Sequence, residues 1–354
     1  MHMADALISP AVGGTMWAIS GGIMAYCARR VKESLKDNLV PLMGVLGAFI
    51  FTAQMINFSI PGTGSSGHLG GGLILAVLLG PHAAFLVIAS VLTVQAFFFA
   101  DGGLLALGCN IFNLGFYPAF IAYPFLYRVI AQDRYVSARA IFAAMAAAVA
   151  GLQLGAFSVV LETKASGLSD LPFGTFVLLM QPIHLAIGLV EGLTTAVVVS
   201  FVARARPEVM PTASSLAGMP VNARPVLLGL LMATVFAGGI LSWFASTHPD
   251  GLEWSIAKVT GKEEVAGRES GLRKRLSAMQ ETTAVLPDYD FKASAKTASG
   301  KVASDETDDS ETWPSGHAGT SVSGLAGGVI TLALVSLIGY LLKNRHAAVL
   351  RCRE

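Results

Sequence analysis

The chain has 354 residues, of which 53% are apolar and 13% charged, with 38 glycines and a net charge of +1; a water-soluble domain carries about 25% charged residues. The near-zero charge leaves no case for nucleic acid as a partner, and three cysteines without paired spacing (Cys27, Cys109, Cys352) indicate neither a disulfide framework nor a zinc site. Apolar runs of about 20 residues recur instead, so the chain reads as an all-α polytopic membrane protein surrounded by membrane lipid.

Taken in order, the chain opens on Met1-His2. Asp5 and Pro10 stand before the first apolar run and no basic region precedes it, so no signal peptide is expected. Initiator Met is trimmed before small residues, and His is not small, so Met1 is expected to stay. A free N-terminus there offers an amine, the first backbone amide nitrogen and the His2 imidazole within one short chelate. His68 follows the Gly/Ser-rich stretch 62–67, which can bring a further nitrogen to the same point. An all-nitrogen set of this kind suits Ni(II) or Cu(II) in a square plane and tolerates Co(II). Residue content alone leaves open that both are ordinary loop histidines, or that Met-His-Met is left over from cloning.

Nine apolar segments are predicted, at 11–28, 39–60, 69–79, 82–100, 104–130, 138–161, 176–203, 226–245 and 322–342. The third makes only about 17 Å of helix, too short for about 30 Å of hydrocarbon, so other helices must shield it. Its Gly70-Gly71-Gly72 run permits close approach. With the N-terminus outside, the inner segments hold Arg29, Arg30, Lys32 and Lys36, then Arg128, Arg134 and Arg139. They also hold Arg204, Arg206 and Arg224, then Lys343, Arg345, Arg351 and Arg353, against Lys164 alone in the short outer loops. Removing the third helix from the count would put Arg128, Arg134 and Arg139 outside. The expected architecture is a seven-span helical bundle followed by a two-span hairpin, N-terminus outside and C-terminus inside. Met1, His2, His68 and Asp101 then share the outer face.

The predicted division is 1–206 for the bundle, 207–225 for a Pro-containing linker and 226–354 for the hairpin, whose outer loop spans 246–321. The stretch 292–311 is too poor in apolar residues to fold by itself. Among polar residues in or beside the spans, Gln95, Asp101, Asn110 and Asn113 are placed to orient ligating imidazoles, or serve as interhelical hydrogen-bond glue. His184 and Glu191 share one face of the seventh span, as a functional pair or as a buried ion pair that locks the bundle. The Gly44/Gly47 and Gly188/Gly192 pairs read as packing.

These residues carry a resemblance. Met1-His2-Met3-Ala4-Asp5-Ala6-Leu7-Ile8-Ser9-Pro10 resembles the N-terminal motif of the M subunits of nickel and cobalt energy-coupling-factor (ECF) transporters. So do Gly64-Ser65-Ser66-Gly67-His68-Leu69-Gly70-Gly71, Asp101-Gly102-Gly103 through Asn113, and the run from His184 to Thr194. Pro249-Asp250-Gly251-Leu252-Glu253-Trp254 resembles the PDGLE motif of the small accessory (N) subunit, here fused behind the M part.

The resemblance implies a substrate-capture component of a bacterial or archaeal cytoplasmic membrane. In that family Ni(II) or Co(II), the transported substrate, is held by the N-terminal amine, the residue-2 amide and imidazole, and a loop histidine, which map onto Met1, His2 and His68. It implies as partners a transmembrane coupling protein and cytosolic ATPase subunits. No G-x-x-x-x-G-K-[ST] loop occurs in this chain, so ATP hydrolysis and any enzymatic role are expected elsewhere. No organic cofactor is expected. One departure is that Met3-Ala4-Asp5-Ala6 lacks the glycine that many members carry after the acidic residue; the PDGLE-type fusion tilts the choice to nickel. Two other readings are an ATP-independent channel or carrier, and an intramembrane serine protease built on Ser66 with His184 as base. The hairpin, which offers His248 and His317 but no compact ligand cluster, is expected to affect access or loading and to add little to affinity.

Membrane-impermeant labelling of introduced cysteines is expected to reach positions 65 and 292 from outside and positions 134 and 206 only from inside. Labelling of position 134 from outside would remove the short third helix from the count.

Overall fold

The computed structural model describes residues 2–33, 39–132, 134–169, 171–210, 223–262, 271–291 and 318–351. The expectations placed on Met1, Lys36, Pro211, Pro220, residues 292–311, His317, Cys352 and Arg353 lie outside them. After a 3-10 turn at Asp5–Leu7, helix α1 (Pro10–Glu33) starts where the Ser9 hydroxyl accepts the Val12 N–H at 3.3 Å and Pro10 supplies a first-turn φ. Helix α2 (Leu39–Gln54) leads into an antiparallel hairpin of β1 (Phe58–Ile60) and β2 (Ser65–Gly67), in which Ser59 faces Ser66. Then come α3 (Gly72–Leu79), α4 (Pro81–Phe99) and α5 (Leu107–Ala131). The middle of α5, Phe112–Tyr127, is wound as a π-helix and contains Pro118 and Pro124, which have no N–H to give to the usual ladder.

Helix α6 (Ala138–Ser166), capped by the Ser137 hydroxyl, packs along α7 (Phe173–Ala205) and against α5. The rest comprises α8 (Arg224–Gly239), α9 (Gly251–Thr260), α10 (Gly271–Thr283) and α11 (Ala318–Arg351). All eight residues of α3 are buried, within reach of α4, α5 and α7. The predicted segment 69–79 is thus helical only from Gly72, and it has the shielding its length demands. The predicted segment 226–245 is also shorter as helix: α8 stops at Gly239 and a 3-10 turn, Leu241–Phe244, follows.

Five helices among the described residues are long and apolar enough to cross a membrane: α4, α5, α6, α7 and α11 from Ala318 to Asn344. Helices α2 and α8 are apolar but have 16 residues each. Several of the apolar helices present greasy outward faces, with Leu178 of α7 and Met232 of α8 each 73% exposed. Water would not tolerate that much contiguous apolar surface, and lipid requires it. The chain is a multi-pass membrane protein.

The C-terminal helices dock on the bundle through glycine. Gly44 of α2 faces Ser336, Gly47 faces Val335 and Thr331, and Gly339 of α11 faces Val40. Gly238 and Gly324 bring α8 and α11 backbone to backbone, and a Cβ on Gly327 would overlap the Phe51 ring, which is fully buried beside Phe99. On the other side, Gly188 and Gly192 of α7 lie against Val149 and Met145 of α6. Small residues therefore set the helix spacing, as they do where lipid gives no hydrophobic drive to associate. Gly327→Ala is expected to lower stability by about 1–3 kcal/mol through overpacking, whereas Gly14→Ala, with open space around it, is expected to be neutral. Thermal unfolding in detergent checks both; equal midpoints for the two variants would show that α11 is not held by this contact.

Candidate metal centre

The N-terminal segment folds back as a hook over the end of α4 and the start of α5. Met3 is fully buried, so its backbone groups need partners. Its N–H donates to Asn110 Oδ1 at 2.8 Å, and its carbonyl accepts from the Gly103 N–H at 2.9 Å and from Asn110 Nδ2 at 3.3 Å. Asp5 Oδ1 accepts the Leu105 and Ala106 amides at 2.8 and 3.0 Å, just ahead of α5. These contacts account for the Asp-Gly-Gly turn. Gly102 has φ +83°, in the region that favours glycine, and a Cβ on Gly103 would fall inside the Asp5 carboxylate.

The hook sets His2 beside that turn. His2 Nδ1 lies 3.1 Å from Asp101 Oδ1, and Asp101 Oδ2 accepts the Tyr289 hydroxyl at 2.5 Å. His68, carried in by the β1–β2 hairpin, stacks on His2 with ring centroids 4.9 Å apart and planes 12° apart. Burial pushes both imidazoles well below their ordinary range, His2 to about 3, so both are neutral and keep a lone pair for a metal ion. The His68 Nδ1 is 3.0 Å from the Leu69 carbonyl. His2 Nε2 and both amide atoms of Gln95 are buried and, among the described residues, make no close hydrogen bond, although Gln95 lies near both His2 and Tyr289. Among the described residues no three His, Cys, Asp or Glu side chains converge as a metal cluster.

The loop beyond His68 is locked from two sides. Glu191 Oε2 accepts the Gly70 N–H at 2.7 Å, and Gln54 Nε2 donates to the Gly70 carbonyl at 2.8 Å. This corrects the pairing of His184 with Glu191: Glu191 binds the loop, while His184 Nδ1 bonds the Met180 carbonyl one turn back at 2.8 Å. A shared helix face did not bring the two together: seven residues are two turns, about 10 Å, along the axis, and Glu191 meets the Gly70 amide ahead of α3 instead. Asn113 does not reach an imidazole either; its amide donates to Glu162 Oε2 at 2.8 Å. Asn110 orients the hook rather than a ring. Ser66 and His184 make no nucleophile–base pair, since the buried Ser66 hydroxyl donates to the His248 carbonyl at 2.7 Å.

The PDGLE-type motif docks against the same hairpin. Ser66 N–H donates to the Pro249 carbonyl at 2.8 Å, and Trp254 Nε1 donates to the Thr63 carbonyl at 3.0 Å. Asp250 caps α9 through the Leu252 and Glu253 amides, with Glu253 reaching back to the Asp250 N–H, a full capping box. Gly251 leaves the room that Ile183 and His184 occupy. Sequence reasoning missed Gln54, Glu162, Arg273, Gln280 and Tyr289. Glu162 was within reach of it, as a carboxylate one residue past the predicted end of the 138–161 segment; Tyr289 gave no signal, lying in an irregular stretch of the loop.

Comparison with known proteins bears on this geometry. Residues 2–209 match the family described as CbiM, cobalt uptake substrate-specific transmembrane region, and residues 224–344 match the PDGLE domain. The chain is similar to a Haloquadratum walsbyi protein named for metal transport, with 37% identity over 60% of this chain and 94% of the relative. It is also similar to an Archaeoglobus fulgidus protein named for fused nickel transport, with 38% identity over 59% of this chain and 68% of the relative. Among solved structures, the crystal structure of a truncated transition metal transporter is similar at a TM-score of 0.52 and 28% identity, over 58% of this chain and 99% of the other.

Protonation of the two buried imidazoles gives a pH dependence of fixed sign. In the unfolded chain they take up protons near pH 6.5; in the folded chain they do so only near 3 for His2. The unfolded state therefore binds more protons between these values, and stability falls as pH drops through that window. The thermal midpoint of the metal-free full chain is expected to fall more steeply from pH 7 to pH 4 than that of a His2→Ala, His68→Ala double variant. Parallel curves would mean that neither ring is buried in solution.

Proposed function

Because the chain belongs to the CbiM family of cobalt-uptake substrate-specific transmembrane regions and carries a PDGLE domain behind it, we propose that it is the ion-capturing subunit of an ATP-driven ECF-type importer, with nickel favoured over cobalt. Residues 1–206 act as the capture domain, 207–225 as the linker and 226–354 as the accessory hairpin, with the N-terminus outside. The observation that carries the reading is the stacked, neutral His2–His68 pair at 4.9 Å, held by a hook whose buried backbone is fully engaged. The terminal amine of Met1, the residue-2 amide nitrogen and imidazole, and the His68 imidazole are the donor set, which suits a square-planar ion. In the present conformation Nδ1 of His2 faces Asp101, and Nε2 makes no close hydrogen bond among the described residues. A chelate that uses the residue's own amide needs Nδ1, so loading would require the ring to reorient. Asp101 would then be the acceptor for the Nε2–H, the usual role of a carboxylate behind a metal-bound imidazole.

Glu191 and Gln54 hold the His68 loop in register with the hook, and Asn110 holds the hook itself. Closure of the hook and loop over the ion captures it. Release to the other side falls to a transmembrane coupling protein and cytosolic ATPase subunits, for which the basic ends of α1, α5 and α7 (Arg29, Arg30, Arg128, Arg204) form the contact surface.

The test is metal capture by the purified full chain. His2→Ala and His68→Ala are each expected to reduce Ni(II) and Co(II) binding nearly to background, and one residue added before Met1 is expected to do the same by displacing the amine. Unchanged binding in the extended variant would overturn the donor set; rapid metal flux through the chain alone in liposomes, without ATPase subunits, would favour a channel.

A further inference from the structure

One stretch of the accessory half, from α10 to Phe291, reaches across to the hook and the Asp-Gly-Gly turn. Arg273 Nη2 donates to the Ile8 carbonyl at 2.7 Å, and Gln280 Nε2 donates to the Ala96 and Gly102 carbonyls at 2.9 and 2.8 Å. The Val285 and Leu286 amides donate to the Phe98 carbonyl at 3.0 and 3.2 Å. These bonds cover both sides of Asp101. At the end of the stretch the Tyr289 ring stacks on Phe99, centroids 5.1 Å apart, with its edge toward Phe51 at 6.2 Å, and its hydroxyl reaches Asp101 Oδ2. Asp288 and Tyr289 both have positive φ, +50° and +61°, a backbone state that residues with a Cβ adopt only when their surroundings enforce it. The turn therefore delivers one hydroxyl to one carboxylate oxygen, and the other oxygen of that carboxylate holds His2.

We propose that Tyr289 is a positioning residue for ion capture: its hydroxyl holds the Asp101 carboxylate where it accepts the His2 ring N–H, from Nδ1 in the structure described and from Nε2 once Nδ1 is given to the ion. The inference rests on the reading of His2 as a ligand. It departs from the expectation that the hairpin adds little to affinity, which counted metal-binding side chains in the loop and not side chains that orient a ligand. A phenol is suited to the task because it donates one hydrogen bond from a ring that packs in an apolar socket. Tyr289→Phe keeps the packing and removes the bond, so the two contributions separate.

The experiment measures Ni(II) affinity, the visible absorption of the bound Ni(II) and the thermal midpoint for the full chain and its Tyr289→Phe, Asp101→Asn, double and His2→Ala variants. Tyr289→Phe is expected to bind Ni(II) about tenfold more weakly, with a shifted absorption band and an unchanged midpoint in the absence of metal. In the Asp101→Asn background, where the carboxylate that both partners share is gone, the same substitution is expected to cost less than it does in the parent chain. Affinity and spectrum equal to the parent chain, or losses that simply add in the double variant, would overturn the proposal; a lowered midpoint with unchanged affinity would assign Tyr289 to packing alone and overturn it too. If His2→Ala binds Ni(II) as the parent does, the ligand reading itself falls and the Tyr289 role with it. If His2→Ala loses the ion and Tyr289→Phe does not, only the role of Tyr289 falls.

Discussion

The site depends on how one buried residue near the chain end satisfies its backbone. Met3 is fully buried, and its N–H and C=O are taken by Asn110 and Gly103. Leaving either group unpaired would cost about 1–3 kcal/mol, which favours the one register that pairs both. That register fixes where His2 stands. It also gives three short sequence features one cause: the Asn110 position, the glycines at 102 and 103, and the Asp5 carboxylate belong to a single docking event.

Much of this was legible before any fold was known, and the reason is local chemistry. Histidine at position 2 and histidine after a glycine-rich loop are distinctive residues whose ligand potential does not need a third dimension, and the apolar runs announce membrane helices by length alone. Asp101-Gly102-Gly103 was legible as a motif but not as a docking turn, because the clash that excludes a Cβ at 103 comes from Asp5, far away in sequence. The partnership of His184 with Glu191 was misread. Helical spacing says which face a side chain shares; it does not say that a loop amide from Gly70 will reach the carboxylate first. Gln54, at the last turn of α2, and Tyr289, in an irregular stretch, were silent for the same reason: each acts through a contact distant in the chain.

The two halves of the molecule meet by two different kinds of physics. Inside the apolar layer, α8 and α11 approach α2 through Gly44, Gly47, Gly238 and Gly327 and each other through Gly238 and Gly324, where dispersion between closely packed helices replaces the hydrophobic drive that lipid cannot give. Beyond it, the contacts are polar and specific: Ser66 to Pro249, Trp254 to Thr63, Arg273 to Ile8. Packing holds the accessory half to the bundle, while hydrogen bonds decide which part of it lies over the hook. The capping box at Asp250 serves the second task, since it starts α9 at the point where the chain leaves the β-hairpin.

The covalent join between the halves has a consequence for stoichiometry. A PDGLE-type segment that docked from a separate polypeptide would occupy its seat according to its concentration in the membrane, and a fraction of CbiM-type regions would stand bare. Tethered in the same chain, the segment faces its seat at an effective concentration that does not depend on how much protein the membrane holds. Every copy is then made with its accessory half in attendance, and dilution cannot remove it. The contacts at Ser66 and Thr63 can accordingly be individually weak and readily undone, because the tether, not their strength, ensures that they re-form.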